Sequence, residues 1–109
     1  MNSPLTLEQY EALNPRCEIE HAGTRMIFAT PNSGTKWRVD TIHSKEPCTL
    51  EWIAGFNRDD VLVDVGANVG MYTIWAAATR SAKVFAFEPE AQNYALLNAI
   101  SCSIGCSSA

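Results

Sequence analysis

Two short apolar runs, Val61–Val65 (VLVDV) and Lys83–Phe87 (KVFAF), stand out from the rest of the chain. Runs so rich in β-branched and aliphatic residues predict strands of a parallel sheet covered on both faces. Between them lies a glycine-bearing turn, Gly66-Ala67-Asn68-Val69-Gly70, followed by an alanine-rich helix over Met71–Thr79 and a short connector, Ser81-Ala82. After the second run, Glu88-Pro89-Glu90 opens another helix. Pro89 suits its first turn, and Tyr94, Leu97 and Ile100 recur at helical spacing. Strand, turn, helix, strand and helix in that order predict a right-handed βαβ unit with one further helix.

The pattern upstream is different. Thr6 and Gln9 stand at capping-box spacing ahead of Leu7–Leu13, so a short helix is expected there, closed by Asn14-Pro15. Arg25–Thr30 (RMIFAT) reads as a strand, Pro31-Asn32-Ser33-Gly34 as a turn, and Trp37–Ile42 alternates like a second strand. That pair is expected to form a hairpin. Pro47–Phe56 reads as a helix with Leu50, Ile53 and Ala54 on one face. The chain thus divides into a lead-in over 1–57, an α/β unit over 58–100 and a Ser/Cys tail over 101–109. The tail, SCSIGCSSA, has no strand periodicity, and no charged residue follows Glu90, so it is not expected to complete a sheet.

At 109 residues and 12.0 kDa, the chain has room for one small domain or part of a larger one. Its 47% hydrophobic residues suit a globular core and exclude ordinary disorder. A net charge of -4 gives no basic field to draw nucleic acid or an anionic membrane, so neither is expected as a partner. No apolar run approaches the roughly 20 residues that span a bilayer. The N-terminus lacks a basic and apolar leader, which makes the cytoplasm the expected compartment. Cys17, Cys48, Cys102 and Cys106 include no CxxC, and neither His21 nor His43 has a second ligand at a metal-like interval. Reduced thiols and no metal are the expectation.

Three features fall at the carboxyl ends of the predicted parallel strands, where ligands bind in α/β sheets. Asp64 interrupts an apolar strand; by itself it reads equally well as a structural carboxylate accepting N–H bonds from the turn. Gly66 and Gly70 allow unusual backbone and close approach of a ligand, although plain strand-to-helix turns use glycine too. Glu88 ends the second strand, 18 residues after Gly70, where a carboxylate can accept from both hydroxyls of a ribose. Alone it would be a solvated strand end; all three in register point to a nucleoside cofactor. A dinucleotide turn would need glycine at 68 and 71, which are Asn68 and Met71, and there is no Gly-Lys-Ser/Thr. S-adenosylmethionine has no pyrophosphate; turn amides, the Asn68 side chain and a nearby carboxylate suit its amino-acid end.

The stretch Asp64-Val-Gly66-Ala-Asn68-Val-Gly70-Met-Tyr72-Thr73, followed by Phe85-Ala-Phe87-Glu88-Pro89, resembles the D-x-G-A-N-x-G and F-E-P signatures of the FkbM-type class I methyltransferases. Lys45-Glu46-Pro47 and Thr49-Leu50-Glu51-Trp52-Ile53 look like the lead-in helix of its bacterial members, so the resemblance covers roughly residues 25–99. It implies a Rossmann-like sheet begun over 58–100, S-adenosylmethionine as methyl donor, and O-methylation of a small-molecule or glycan hydroxyl. By position, Gly66, Ala67, Asn68 and Gly70 would line the methionine end, Asp64 would lie beneath them, and Glu88 would hold the ribose. Such enzymes continue far beyond the second motif, so the chain reads as an N-terminal fragment whose two parallel strands would leave apolar surface exposed. A catalytically inactive remnant and a nicotinamide-dependent oxidoreductase are the competing readings. Trp37, Trp52 and Trp75 are expected as packing aromatics, Tyr72 as packing or a cofactor contact, and His21 and His43 at surface or loop positions. No general base can be named from the sequence.

Overall fold

A computed structural model describes the backbone of residues 4–104 and 107–108 and the side chains of residues 4–98. Among these, α1 (Leu7–Leu13) starts at the expected capping box: Thr6 accepts from the Gln9 N–H, and the Gln9 side chain accepts from the Thr6 N–H. None of its residues is buried. The hairpin follows, but from different segments than expected. It joins β1 (Arg16–His21) to β2 (Thr24–Ala29) in antiparallel register, with His21 opposite Thr24. Only Ala22 and Gly23 lie between them, at φ 49° and 82°. Two consecutive positive φ values give the turn whose twist matches that of the flanking strands.

The segment expected as the second hairpin strand is helical. Asn32 caps α2 (Ser33–Asp40), its side chain accepting from the Thr35 N–H at 2.9 Å, so the Pro31–Gly34 turn signal marks a helix start. Thr35, Val39 and Ile42 are buried at helical spacing, Ile42 belonging to the short α3 (Ile42–Lys45). Then α4 (Pro47–Ala54) begins on Pro47 as read; Ile53 is buried, Leu50 half-buried and Ala54 exposed.

The second half keeps the predicted order. Here β3 (Val61–Val65) pairs in parallel with β4 (Lys83–Phe87), connected through α5 (Met71–Arg80). Next, α6 (Ala91–Ile104) runs into what was read as the tail. Ser107–Ser108, a two-residue β5, pairs with Phe85 and Ala86, so the sheet order is β3-β4-β5 and the tail does extend the sheet. The expected helix position Ile100 and the Cys102 side chain lie outside the described side chains, and Cys106 outside the described residues. Cys17 and Cys48 are free thiols.

Three layers result. Helix α5 packs against both parallel strands on one side and against β2 on the other, with α4 and α6 beside it. Leu62, Val84 and Ala86 from the sheet, Ile74, Trp75 and Ala76 from α5, and Met26 and Phe28 from the hairpin make one buried cluster. Burial alternates along β3 and β4, so only one sheet face is covered. Val61, Val63, Val65, Phe85 and Phe87 are exposed on the other, Val65 by 79%. The expectation of strands buried on both faces fails for this chain, while the expected exposed apolar surface is present. Trp75 is buried, but Trp37 and Trp52 are more than half exposed: Trp37 lies under the Lys45 ammonium, and Trp52 stacks edge-on against Phe56.

Candidate functional site

The turn between β3 and α5 owes its shape to three residues in the left-handed region, Gly66 at φ 73°, Asn68 at 56° and Gly70 at 93°. Glycine adopts such angles without strain, and asparagine is the side chain that tolerates them best. That is a physical reason for the Gly-x-Asn-x-Gly pattern. Gly70 is further constrained because a Cβ there would come within 2.6 Å of Leu97 Cδ1. It is buried against α6, and it does not line the cleft described below.

Most of the turn's amides are already engaged. The Gly66 and Ala67 N–H groups both donate to the Phe87 carbonyl, at 2.8 and 3.1 Å, and Gly70 N–H donates to Ala67 O. Asn68 N–H donates to Glu88 Oε1 at 2.8 Å, while Glu88 Oε2 accepts from Glu90 N–H. Glu88 is therefore the carboxylate that accepts a turn N–H, the role considered for Asp64. Asp64, half-buried on the covered face of β3, instead accepts from the Thr73 hydroxyl at 2.6 Å, tying the strand to α5. A carboxylate has about four acceptor positions, so Glu88 retains capacity for a ligand after accepting two backbone bonds. The turn amides of Gly66, Ala67, Asn68 and Gly70, expected to face a ligand, are therefore engaged within the protein.

Asp64, Gly66, Ala67 and Asn68 come together in one open cleft of about 280 Å³. Its opposite wall is built by the lead-in, from Arg38, Thr41, Ile42, Lys45 and Glu46, with Met71 and Tyr72 at the start of α5. Glu88 adjoins the cleft through its bond to Asn68. The Tyr72 hydroxyl donates to Glu46 Oε2 at 2.6 Å. Burial, then this bond and the nearby Glu46 and Asp64 charges, push the Tyr72 pKa up to about 12, so the phenol stays protonated at neutral pH. Nothing in the local sequence around Arg38, Lys45 and Glu46 marks them as site residues. The only signal was the Lys45-Glu46-Pro47 match, which carries no geometry.

His21 and His43 are exposed as expected, although they sit on β1 and α3 rather than in loops. Their rings lie 4.9 and 5.2 Å from that of Trp75, outside the cleft lining. Among the described residues no three His, Cys, Asp or Glu side chains gather as a metal site, and no helix is long and apolar enough to cross a membrane. The fold is mixed α/β, with an antiparallel hairpin and a small parallel sheet. No protein-family model matches the chain, and no curated protein matches it significantly.

Proposed function

We propose that the chain is the cofactor-binding part of an S-adenosylmethionine-dependent methyltransferase of the FkbM type, acting on a small-molecule or glycan hydroxyl. The observation that carries the reading is the Asn68 N–H bond to Glu88. It joins the two sequence motifs at the carboxyl ends of adjacent parallel strands, the position where α/β sheets take nucleosides. When bound, the cofactor supplies a methyl group already activated on a sulfonium.

What the protein contributes is orientation. Asp64 and Asn68 face the amino-acid end, the bare Cα of Gly66 allows close approach, and Glu88 offers its remaining lone pairs to ribose hydroxyls. Catalysis then rests mainly on aligning the acceptor oxygen for in-line attack, with a base to take its proton where needed. The Tyr72 hydroxyl is engaged as a donor to Glu46.

The uncovered apolar face of the sheet favours a second reading, a remnant that binds the cofactor without turnover. Transfer of labelled methyl groups by the 109-residue chain to a panel of hydroxyl-bearing acceptors distinguishes the two, because any acceptor-dependent transfer excludes the remnant. Thermal stabilisation by NAD, with none by S-adenosylhomocysteine, would replace both with a nicotinamide enzyme.

A further inference from the structure

The cleft is lined by charge of both signs. The wall facing the glycine turn carries two cations, Arg38 and Lys45, and the carboxylate of Glu46, while Asp64 adds a second carboxylate from the β3 side. Each carboxylate is oriented by one hydroxyl, Glu46 by Tyr72 and Asp64 by Thr73, and retains lone pairs beyond that bond. The cations have more capacity still. Among the described residues the Arg38 guanidinium has no ion-pair or hydrogen-bond partner, and Lys45 has only the Trp37 ring at 5.2 Å.

We infer that Arg38 and Lys45 hold the carboxylate of the ligand's amino-acid end, with Glu46 and Asp64 facing its ammonium group. The inference rests on the methyl-donor reading above and adds the lead-in helices to that site. Three observations carry it. Four turn amides are engaged within the protein, so a ligand carboxylate must find its donors elsewhere. Two positive and two negative groups in one cleft match a zwitterion, whereas a phosphate would meet the same two carboxylates and be repelled. At about 280 Å³ the cleft lies just below the roughly 300–1,000 Å³ of sites that enclose a whole drug-sized ligand, so it fits one end of the cofactor. The ribose then extends toward Glu88. A guanidinium suits the first role, since its planar fork can donate two parallel bonds to one carboxylate.

The test compares two nucleosides, S-adenosylhomocysteine and 5′-methylthioadenosine, which lacks the amino-acid end, on the full chain by calorimetry. The wild type should prefer S-adenosylhomocysteine. Arg38→Gln and Lys45→Gln should each weaken it by about tenfold or more, the scale of a charge-assisted hydrogen bond, while methylthioadenosine binding stays unchanged. Unaltered methylthioadenosine binding also reports that each variant is folded, and Arg38→Lys should recover part of the loss. Equal S-adenosylhomocysteine affinity in wild type and both variants would overturn the subsite and leave the methyl-donor reading standing. Failure of the wild type to bind either nucleoside would remove that reading, and the subsite with it.

Discussion

Single residues around the turn have separable roles. Gly70 combines a φ of 93° with a Cβ position only 2.6 Å from the Cδ1 of buried Leu97, while Gly66, at 73°, has open space around it. Gly70→Ala should therefore lower stability by about 1–3 kcal/mol, and Gly66→Ala by less, in urea unfolding midpoints. Equal losses would mean that Leu97 yields freely and only the backbone angle matters. Tyr72 gives a pH signature. Its raised pKa means the folded chain keeps a proton that the unfolded chain releases near 10, so this contribution to stability is complete below pH 10 and lost as pH rises toward about 12. A tyrosinate absorbance titration should show a late step near 12 that disappears in Tyr72→Phe. At this scale the sequence was informative: Gly66, Asn68 and Gly70 announce their backbone angles. It could not show that Glu88, rather than Asp64, takes the turn's N–H, because that partner depends on the register between β3 and β4.

At the scale of elements, legibility followed the strength of the local signal. The β3-α5-β4 order was readable because its apolar runs and glycine turn agree with one another. The lead-in misled for a physical reason. Thr35, Val39 and Ile42 form the buried helical stripe, but polar Thr35 hides it, and Asn32 with Thr35 makes a capping box without the usual Glu or Gln. The missed strand β1 did carry a signal: RCEIEH alternates, with Cys17 and Ile19 half-buried, ahead of a residue-glycine turn. Helix α1 is the opposite case, clearly signalled yet unsupported by packing. Thr6→Ala should cost that helix about 1 kcal/mol, visible as faster amide exchange over Leu7–Leu13, with the global unfolding midpoint unchanged. A matching fall in global stability would show that α1 belongs to the cooperative core.

The molecule as a whole is asymmetric. Helix α5 is enclosed between hairpin and sheet, while the sheet's far face shows valine and phenylalanine to solvent. Substituting Val63 and Phe85 together with threonine leaves a strand-forming, β-branched residue at each position and should change unfolding free energy by no more than about 0.5 kcal/mol, the usual range for surface changes. Binding of a hydrophobic dye and concentration-dependent association should both fall. A large loss of stability would show that this face is buried in solution, for example between copies of the chain. The cleft lies where lead-in and sheet meet, so the account needs both halves of the chain to serve one ligand. The most direct measurement is a calorimetric titration of the full chain with S-adenosylhomocysteine, repeated on Glu88→Ala. The account predicts saturable binding at one site, weakened by about 1–3 kcal/mol in the variant, the worth of hydrogen bonds to a charged group. Undiminished affinity in Glu88→Ala would remove Glu88 from the site, and no binding by the wild type would contradict the central claim.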